Sequence, residues 1–239
     1  MRKTEVRIGP WAAIALMALV FAAMELVLPP LRQALAPHVT APRDVVAVRA
    51  LSSIALVWIL FAAACVLLKL RGQSLADVGW GKPARIEGWL LAILFAALYG
   101  GGFAYGMAKQ GVPVLSDWSF FRIWVALGIA VSAGICEETV FRGFVMSQAR
   151  DGGAHWSVQL ALSALLFGLA HMGWGGLSGH VDMGQMIGAV MGTAILGVMM
   201  AATYLVGGRS LWPAILAHGV IDLLLEPWLL LNAVTGGHF

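Results

Sequence analysis

Two adjacent glutamates, Glu137 and Glu138, stand in an otherwise apolar stretch and are followed by Arg142. On a helix Glu138 and Arg142 fall at i and i+4, on one face and in ion-pair register, while Glu137 points about 100° away. That spacing divides the labour. Arg142 can hold Glu138 ionised and fix the helix, and Glu137 is left to face a cavity, where a carboxylate suits general-base work. An ion-paired helix end at a membrane surface fits the same residues equally. Further on, Phe167-Gly-Leu-Ala-His171 closes a second apolar stretch with an aromatic one turn before a histidine. A lone histidine of this kind is more often a packed or interfacial residue. On a third stretch His218 and Asp222 again stand at i and i+4. Such a pair can bind metal, orient an imidazole or polarise a carbonyl, or can simply pin helices together through a buried hydrogen bond.

The elements that must position these residues are membrane helices. The chain has 239 residues, 60% hydrophobic and 11% charged, with a mean hydropathy of +0.86, whereas an ordinary soluble domain carries about 25% charged residues. A soluble domain, a disordered chain and a secreted disulfide scaffold are excluded together, the last because only two cysteines are present. The net charge of +3 does not point to nucleic acid, because the basic residues collect at the ends of apolar runs, as the positive-inside rule requires. The runs predict an all-α, polytopic transmembrane helix bundle of about seven spans, with six to eight admissible. They lie over Ile8 to Leu28, stopping at Pro29-Pro30; Val45 to Leu70; Ile86 to Met107; Phe120 to Arg150; Ser157 to His171; Met186 to Val206; and Leu211 to Leu231. The fourth reads as one long helix or as two. The glycines between Gly173 and Gly184 mark a loop, and the chain divides into N-terminal helices over 1–115 and a core over 116–239, expected to form one structural unit.

Arg2, Lys3 and Arg7 precede the first run, which resembles a signal peptide but exceeds the usual apolar length of about 7–15 residues, so an uncleaved anchor is expected. With the N-terminus in the cytoplasm, one side holds those three together with Lys69, Arg71, Lys82, Arg85, Arg142, Arg150 and Arg209. The other holds Arg32, Arg43, Arg49, Lys109 and Arg122, so the N-in orientation is favoured.

The three elements Glu-Glu-x-x-x-Arg, Phe-x-x-x-His and His-x-x-x-Asp are far more specific jointly than singly. In the settings EETVFRGF (Glu137 to Phe144), FGLAH (Phe167 to His171) and LWPAILAH (Leu211 to His218), the chain resembles the CPBP family of intramembrane proteases. This is also called the CAAX prenyl-protease or Abi family, and includes the eukaryotic Ras-converting CAAX endopeptidase. The resemblance covers about Phe120 to Leu225. It implies peptide-bond hydrolysis inside the bilayer: Glu137 with His171 activating water, His218 with Asp222 stabilising the oxyanion, and Glu138, Arg142 and Phe167 supporting the motif. Family members often carry Asn where Asp222 stands, and an ionised aspartate cannot donate to an oxyanion. Asp222 therefore stays protonated, or orients His218, or joins a metal site. Glu137, His171, His218 and Asp222 would make a chemically sensible zinc set, but the HExxH pattern that would argue strongly for zinc is absent, and a metal-independent mechanism is favoured.

Cys136 precedes Glu137 but projects about 100° from it, which fits packing better than a nucleophile. Cys65 also reads as packing, and Glu25 and Glu226 as interfacial acids. Trp80, Trp89, Trp118, Trp174 and Trp228 suit an aromatic belt. The sequence predicts an integral protein of a prokaryotic inner membrane, acting on a membrane protein or lipidated peptide within the lipid bilayer. A non-proteolytic immunity or scaffold protein and a proton-coupled transporter are the competing classes.

Overall fold

The computed structural model of the protein describes residues 8–35, 38–39, 41–109, 120–172 and 183–235. Arg2, Lys3, Arg7, Trp118, Trp174 and nearly all of the Gly173 to Gly184 loop lie outside the described residues, as do the side chains of Glu25, Arg122, Glu226 and Trp228.

The described chain is all-α. Its helices are α1 (Pro10–Leu35), α2 (Pro42–Leu70), α3 (Ile86–Phe95), α4 (Gly102–Lys109), α5 (Phe120–Glu138), α6 (Met146–Asp151), α7 (Trp156–Leu169), α8 (Met183–Val206) and α9 (Trp212–Thr235). Two π-helical stretches, Ala96–Gly101 and Thr139–Val145, join α3 to α4 and α5 to α6. The helices therefore form seven rods. Among the described residues, four helical segments are long and apolar enough to cross a membrane: Pro42–Leu70, Ile86–Lys109, Ile123–Asp151 and Met186–Val206. Three shorter apolar ones, Pro10–Met24, Trp156–Leu169 and Trp212–Leu225, complete the set.

Two sequence expectations change here. The first helix does not stop at Pro29-Pro30 but continues to Leu35. Each proline removes one N–H donor and crowds the carbonyl one turn back, yet in apolar surroundings a helix remains the cheapest way to satisfy the other backbone groups. The fourth segment, open between one helix and two, is one continuous rod whose π stretch keeps helical backbone angles at both junctions.

One buried cluster runs through the bundle, joining Ala13 and Met17 of α1, Leu60, Ala64 and Leu67 of α2, Phe141, Phe167 of α7, Leu196 and Met200 of α8 and Ala217 and Ile221 of α9. Large apolar side chains such as Leu90, Ile93, Leu98, Leu165 and Ile195 are exposed on the outside, as expected where hydrocarbon is the solvent. The polar groups collect at one end. Trp11 donates to the Gly152 carbonyl (3.3 Å), and Arg71 donates to Gln148 (2.7 Å) and the Ile8 carbonyl (3.0 Å). The Arg85 amide reaches the Gly207 carbonyl (3.2 Å), and the Ser210 hydroxyl donates to the Lys82 carbonyl (2.8 Å). The starts of α1, α3, α7 and α9 thus share a face with the ends of α2, α6 and α8.

Trp80, half-buried, also has a packing role. Its ring is packed against the main buried cluster and edge-on to Trp212 at 5.4 Å.

Candidate active site

The site is built where α5 and α9 touch, and small residues make that contact possible. A Cβ on Gly134 would stand 2.9 Å from the Ile215 carbonyl oxygen of α9. Facing it, a Cβ on Gly219 would meet the Ala130 carbonyl at 3.4 Å. With no side chain at these positions the backbones approach closely, the usual device for helix association where water supplies no hydrophobic drive. One turn beyond Gly134 lies Glu138, and one residue before Gly219 lies His218, so the close approach carries the carboxylate to the imidazole.

The rod then widens into the π stretch. All seven residues from Thr139 to Val145 are buried. Thr139 donates to the Ile135 carbonyl (2.6 Å) and accepts the Trp80 indole N–H (3.0 Å), so its hydroxyl is used in both senses. π-Helical insertions of this kind are frequent at functional sites.

Glu138 and Arg142 are fully buried and paired, with Arg142 Nη1 2.9 Å from Glu138 Oε1, the i and i+4 register read from the sequence. The same Oε1 also receives His218 Nδ1 at 2.7 Å. An oxygen that accepts from a guanidinium and an imidazole together belongs to a carboxylate, and the Nδ1 proton of His218 is thereby assigned. Arg142 is tied down further. Its Nη2 donates to the Gly197 carbonyl of α8 (3.2 Å), and its guanidinium lies over the Phe167 ring at 4.4 Å. Arg142 thus belongs to the interior and not among the loop charges of the sequence-based orientation count; the remaining charges keep the same bias.

With Nδ1 committed, His218 turns Nε2 toward two more carboxylates, Asp222 Oδ2 at 3.6 Å and Glu137 Oε2 at 4.0 Å. Both separations exceed the roughly 2.7–3.2 Å of a direct N–H···O bond. Glu137 Oε2 is buried and has no hydrogen-bond partner among the described residues, although the side chain as a whole is 14% exposed. Glu137 is therefore the carboxylate of the pair that opens outward, while Glu138 is sealed in. Cys136, beside it, is buried with a free thiol.

Phe167 draws in the third element. Its ring lies 4.7 Å from the imidazole of His171 and 5.7 Å, edge-on, from that of His218. His171 follows the C-terminal end of α7, with Nδ1 2.8 Å from the Phe167 carbonyl and Glu137 among its charged neighbours. The structure thus brings Arg142, His171 and His218 around the Phe167 ring, and Glu137, Glu138 and Asp222 around the imidazole of His218. Sequence reading did not anticipate the bond from Glu138 to His218, the Gly197 carbonyl, the Trp80 to Thr139 bond or Tyr99, which neighbours Asp222 and donates to the Gly192 carbonyl (3.2 Å). Nor did it give the first helix a part, although Phe21 lies on Phe141 at 5.3 Å.

Among the described residues no three His, Cys, Asp or Glu side chains are grouped so as to hold a metal ion. Nδ1 of His218 is spent on Glu138 and Nδ1 of His171 faces a backbone carbonyl. Of the zinc set read from the sequence, Glu137 and Asp222 face Nε2 of His218, and His171 stands across Phe167 from it.

A bundle with four apolar helices of membrane length, and with buried carboxylates and imidazoles converging in its interior, has the character of an integral membrane protein. Residues 118–224 match the family described as type II CAAX prenyl endopeptidase Rce1-like. The match covers less than half of the chain and is a likeness to this protease family, and the buried network of Glu137, Glu138 and His218 is consistent with the family's catalytic residues. No curated protein and no solved structure matches the chain.

Proposed function

We propose that the protein is an intramembrane endopeptidase that cleaves a membrane-anchored or C-terminal tail peptide with a water activated by Glu137. The observation that carries this reading is the position of the Glu137 carboxylate, 4.0 Å from a His218 ring whose far nitrogen is held by Glu138. A water lying off the line between Glu137 Oε2 and His218 Nε2 can reach both at about 2.8 Å. Glu137 takes its proton, the hydroxide adds to the scissile carbonyl, and the proton passes to the departing amine nitrogen. His218, carrying a proton on Nε2, faces the oxyanion, and a donor of this kind is worth roughly 3–4 kcal/mol of transition-state stabilisation. Asp222 acts as an acceptor that aims Nε2 and not as the oxyanion donor. His171 completes the water site from the other side of Phe167.

The remaining assignments follow from the bilayer. Seven rods lie in the bilayer, α7 entering it without spanning the whole core, and the end carrying Arg71, Lys82, Arg85, Arg150 and Arg209 is cytoplasmic, as is the N-terminus, in a prokaryotic inner membrane. At 14 residues, α7 spans about 21 Å, short of the roughly 30 Å hydrocarbon core, so His171 sits at membrane depth. The segments 1–115 and 116–239 work as one unit.

The test is cleavage of a panel of membrane-tethered tail peptides by the purified protein in detergent, with Glu137→Ala, His171→Ala and His218→Ala and with or without a strong chelator. Loss in every variant with indifference to chelator is expected. Variants that cut as well as the wild type overturn the site, and chelator inhibition reversed by zinc replaces the metal-independent step. A bundle that retains its biological activity with Glu137→Gln is a scaffold.

A further inference from the structure

Away from the reaction chamber, a groove of about 310 Å³ runs along the outer surface between α7 and α8, lined by Trp156, Leu160, Ala202, Leu205 and Val206. Its lining is apolar throughout, and its size falls at the low end of ligand clefts, roughly 300–1,000 Å³. Trp156, 56% exposed at the start of α7, is the residue type that settles at headgroup level. The groove therefore lies where α7 begins and α8 ends, beside the polar face of the bundle.

At that polar face stands Arg209, between α8 and α9. Its backbone has φ 62°, and it is the only non-glycine residue with positive φ among those described. Arginine is held there at a conformational cost that glycine or asparagine would avoid, which is grounds for asking what its side chain does. Nη2 donates to Gln159 (2.7 Å), a neighbour of Leu160 in the groove wall. Nη1 is buried with no hydrogen-bond partner among the described residues. Lys82 is brought alongside by the bond from Ser210 to its carbonyl (2.8 Å). Its ammonium lies below its usual range, through desolvation first and then through the charges of Arg150 and Arg209. Of the acids at this face, Asp151 is engaged by Arg71, Arg150 and Gln73, Asp77 by Ser74, and Glu87 stands exposed in the first turn of α3, against six basic residues, Lys69, Arg71, Lys82, Arg85, Arg150 and Arg209. Positive charge is left in excess.

We propose that this is a binding site for an anionic phospholipid, with one acyl chain in the groove between α7 and α8 and the phosphate on Arg209, Lys82 and Arg150. An apolar channel that ends under clustered cations at headgroup level is complementary to a phospholipid along its whole length.

The experiment is native mass spectrometry of the full chain released from mixed micelles, comparing retention of phosphatidylglycerol with phosphatidylcholine of the same acyl chains. The wild type is expected to retain phosphatidylglycerol at least about fivefold better, the order of one charge-assisted contact. Arg209→Asn, whose new residue tolerates positive φ, is expected to abolish the preference while leaving phosphatidylcholine retention unchanged. Ala202→Phe, which fills the groove, lowers retention of both lipids. Lys69→Gln, at the same end of the bundle but on α2, leaves the preference intact. The proposal is overturned if the wild type shows no preference, if Arg209→Asn keeps it, or if Lys69→Gln loses it equally. It is also overturned if millimolar inorganic phosphate displaces phosphatidylglycerol completely, since the site would then hold an anion and not a lipid.

Discussion

Glu138 and His218 lie 80 positions apart in the chain and are joined by a 2.7 Å hydrogen bond in a fully buried interior. Because Glu138 Oε1 also receives Arg142, one oxygen couples the helix carrying the adjacent glutamates to the helix carrying the histidine and aspartate. Such a group is costly to leave half paired.

Arg142→Met removes the cation and leaves a buried carboxylate with only an imidazole for company, and is expected to cost about 3–5 kcal/mol. The double variant Glu138→Gln with Arg142→Met removes both charges while the amide oxygen can still accept from His218. It should regain part of that stability without regaining cleavage. Unfolding of the purified variants in one detergent measures the first effect and peptide cleavage the second.

Glu137 is not part of that pairing. Glu137→Gln keeps the shape of the side chain and removes the base, so cleavage should fall by at least about 100-fold. The melting temperature should stay at the wild-type value. A parallel collapse of stability would place Glu137 among the supports of the fold.

The contact between α5 and α9 is set by backbone proximity. Gly134→Val would drive its side chain into the Ile215 carbonyl, with an expected loss of about 1–3 kcal/mol. Cleavage should suffer more than stability, because Glu138 and His218 would move apart even in molecules that stay folded. Gly101→Ala, where an added Cβ meets nothing within 4 Å, is the comparison variant and should be silent.

Outside the spans, Asp77 Oδ2 accepts from the backbone N–H (2.7 Å) and hydroxyl (2.8 Å) of Ser74. These two bonds, the backbone one first, hold its carboxyl below the ordinary 3.8. A carboxyl depressed on folding stabilises the protein above its unfolded pKa, and the contribution fades as pH falls through the folded value. The difference in stability between wild type and Asp77→Asn should be constant from about pH 7 to 5 and close below about pH 4. A difference that widens in acid would contradict this assignment.

Much of the site was legible because it is local. The pairing of Glu138 with Arg142 follows from helical pitch alone, and it appears at 2.9 Å where the i and i+4 spacing put it. The same holds for the proximity of His218 and Asp222 and for Phe167 lying beside His171 one turn later. The first helix was misjudged at its end because two prolines weaken a helix in water more than in apolar surroundings, where unsatisfied backbone groups have no other partner. The bond from the Trp80 indole to Thr139 was not legible, because position near a helix end does not record which hydroxyl a ring N–H will meet.

Composition and periodicity by themselves determined that the chain is all-α with membrane-length apolar helices, and which few polar residues stand within them. Those properties depend on solvent preference and on 3.6 residues per turn, both readable residue by residue. Only the tertiary structure decided which oxygen meets which ring nitrogen. Glu138 is committed to His218 and Arg142, and Glu137 is the carboxylate that faces outward, because Gly134 and Gly219 let two backbones approach. The π stretch after Glu138 then buries Arg142 beneath Phe167 and Gly197. Contacts between helices depend on how small residues interlock across a distance that no spacing within one helix records.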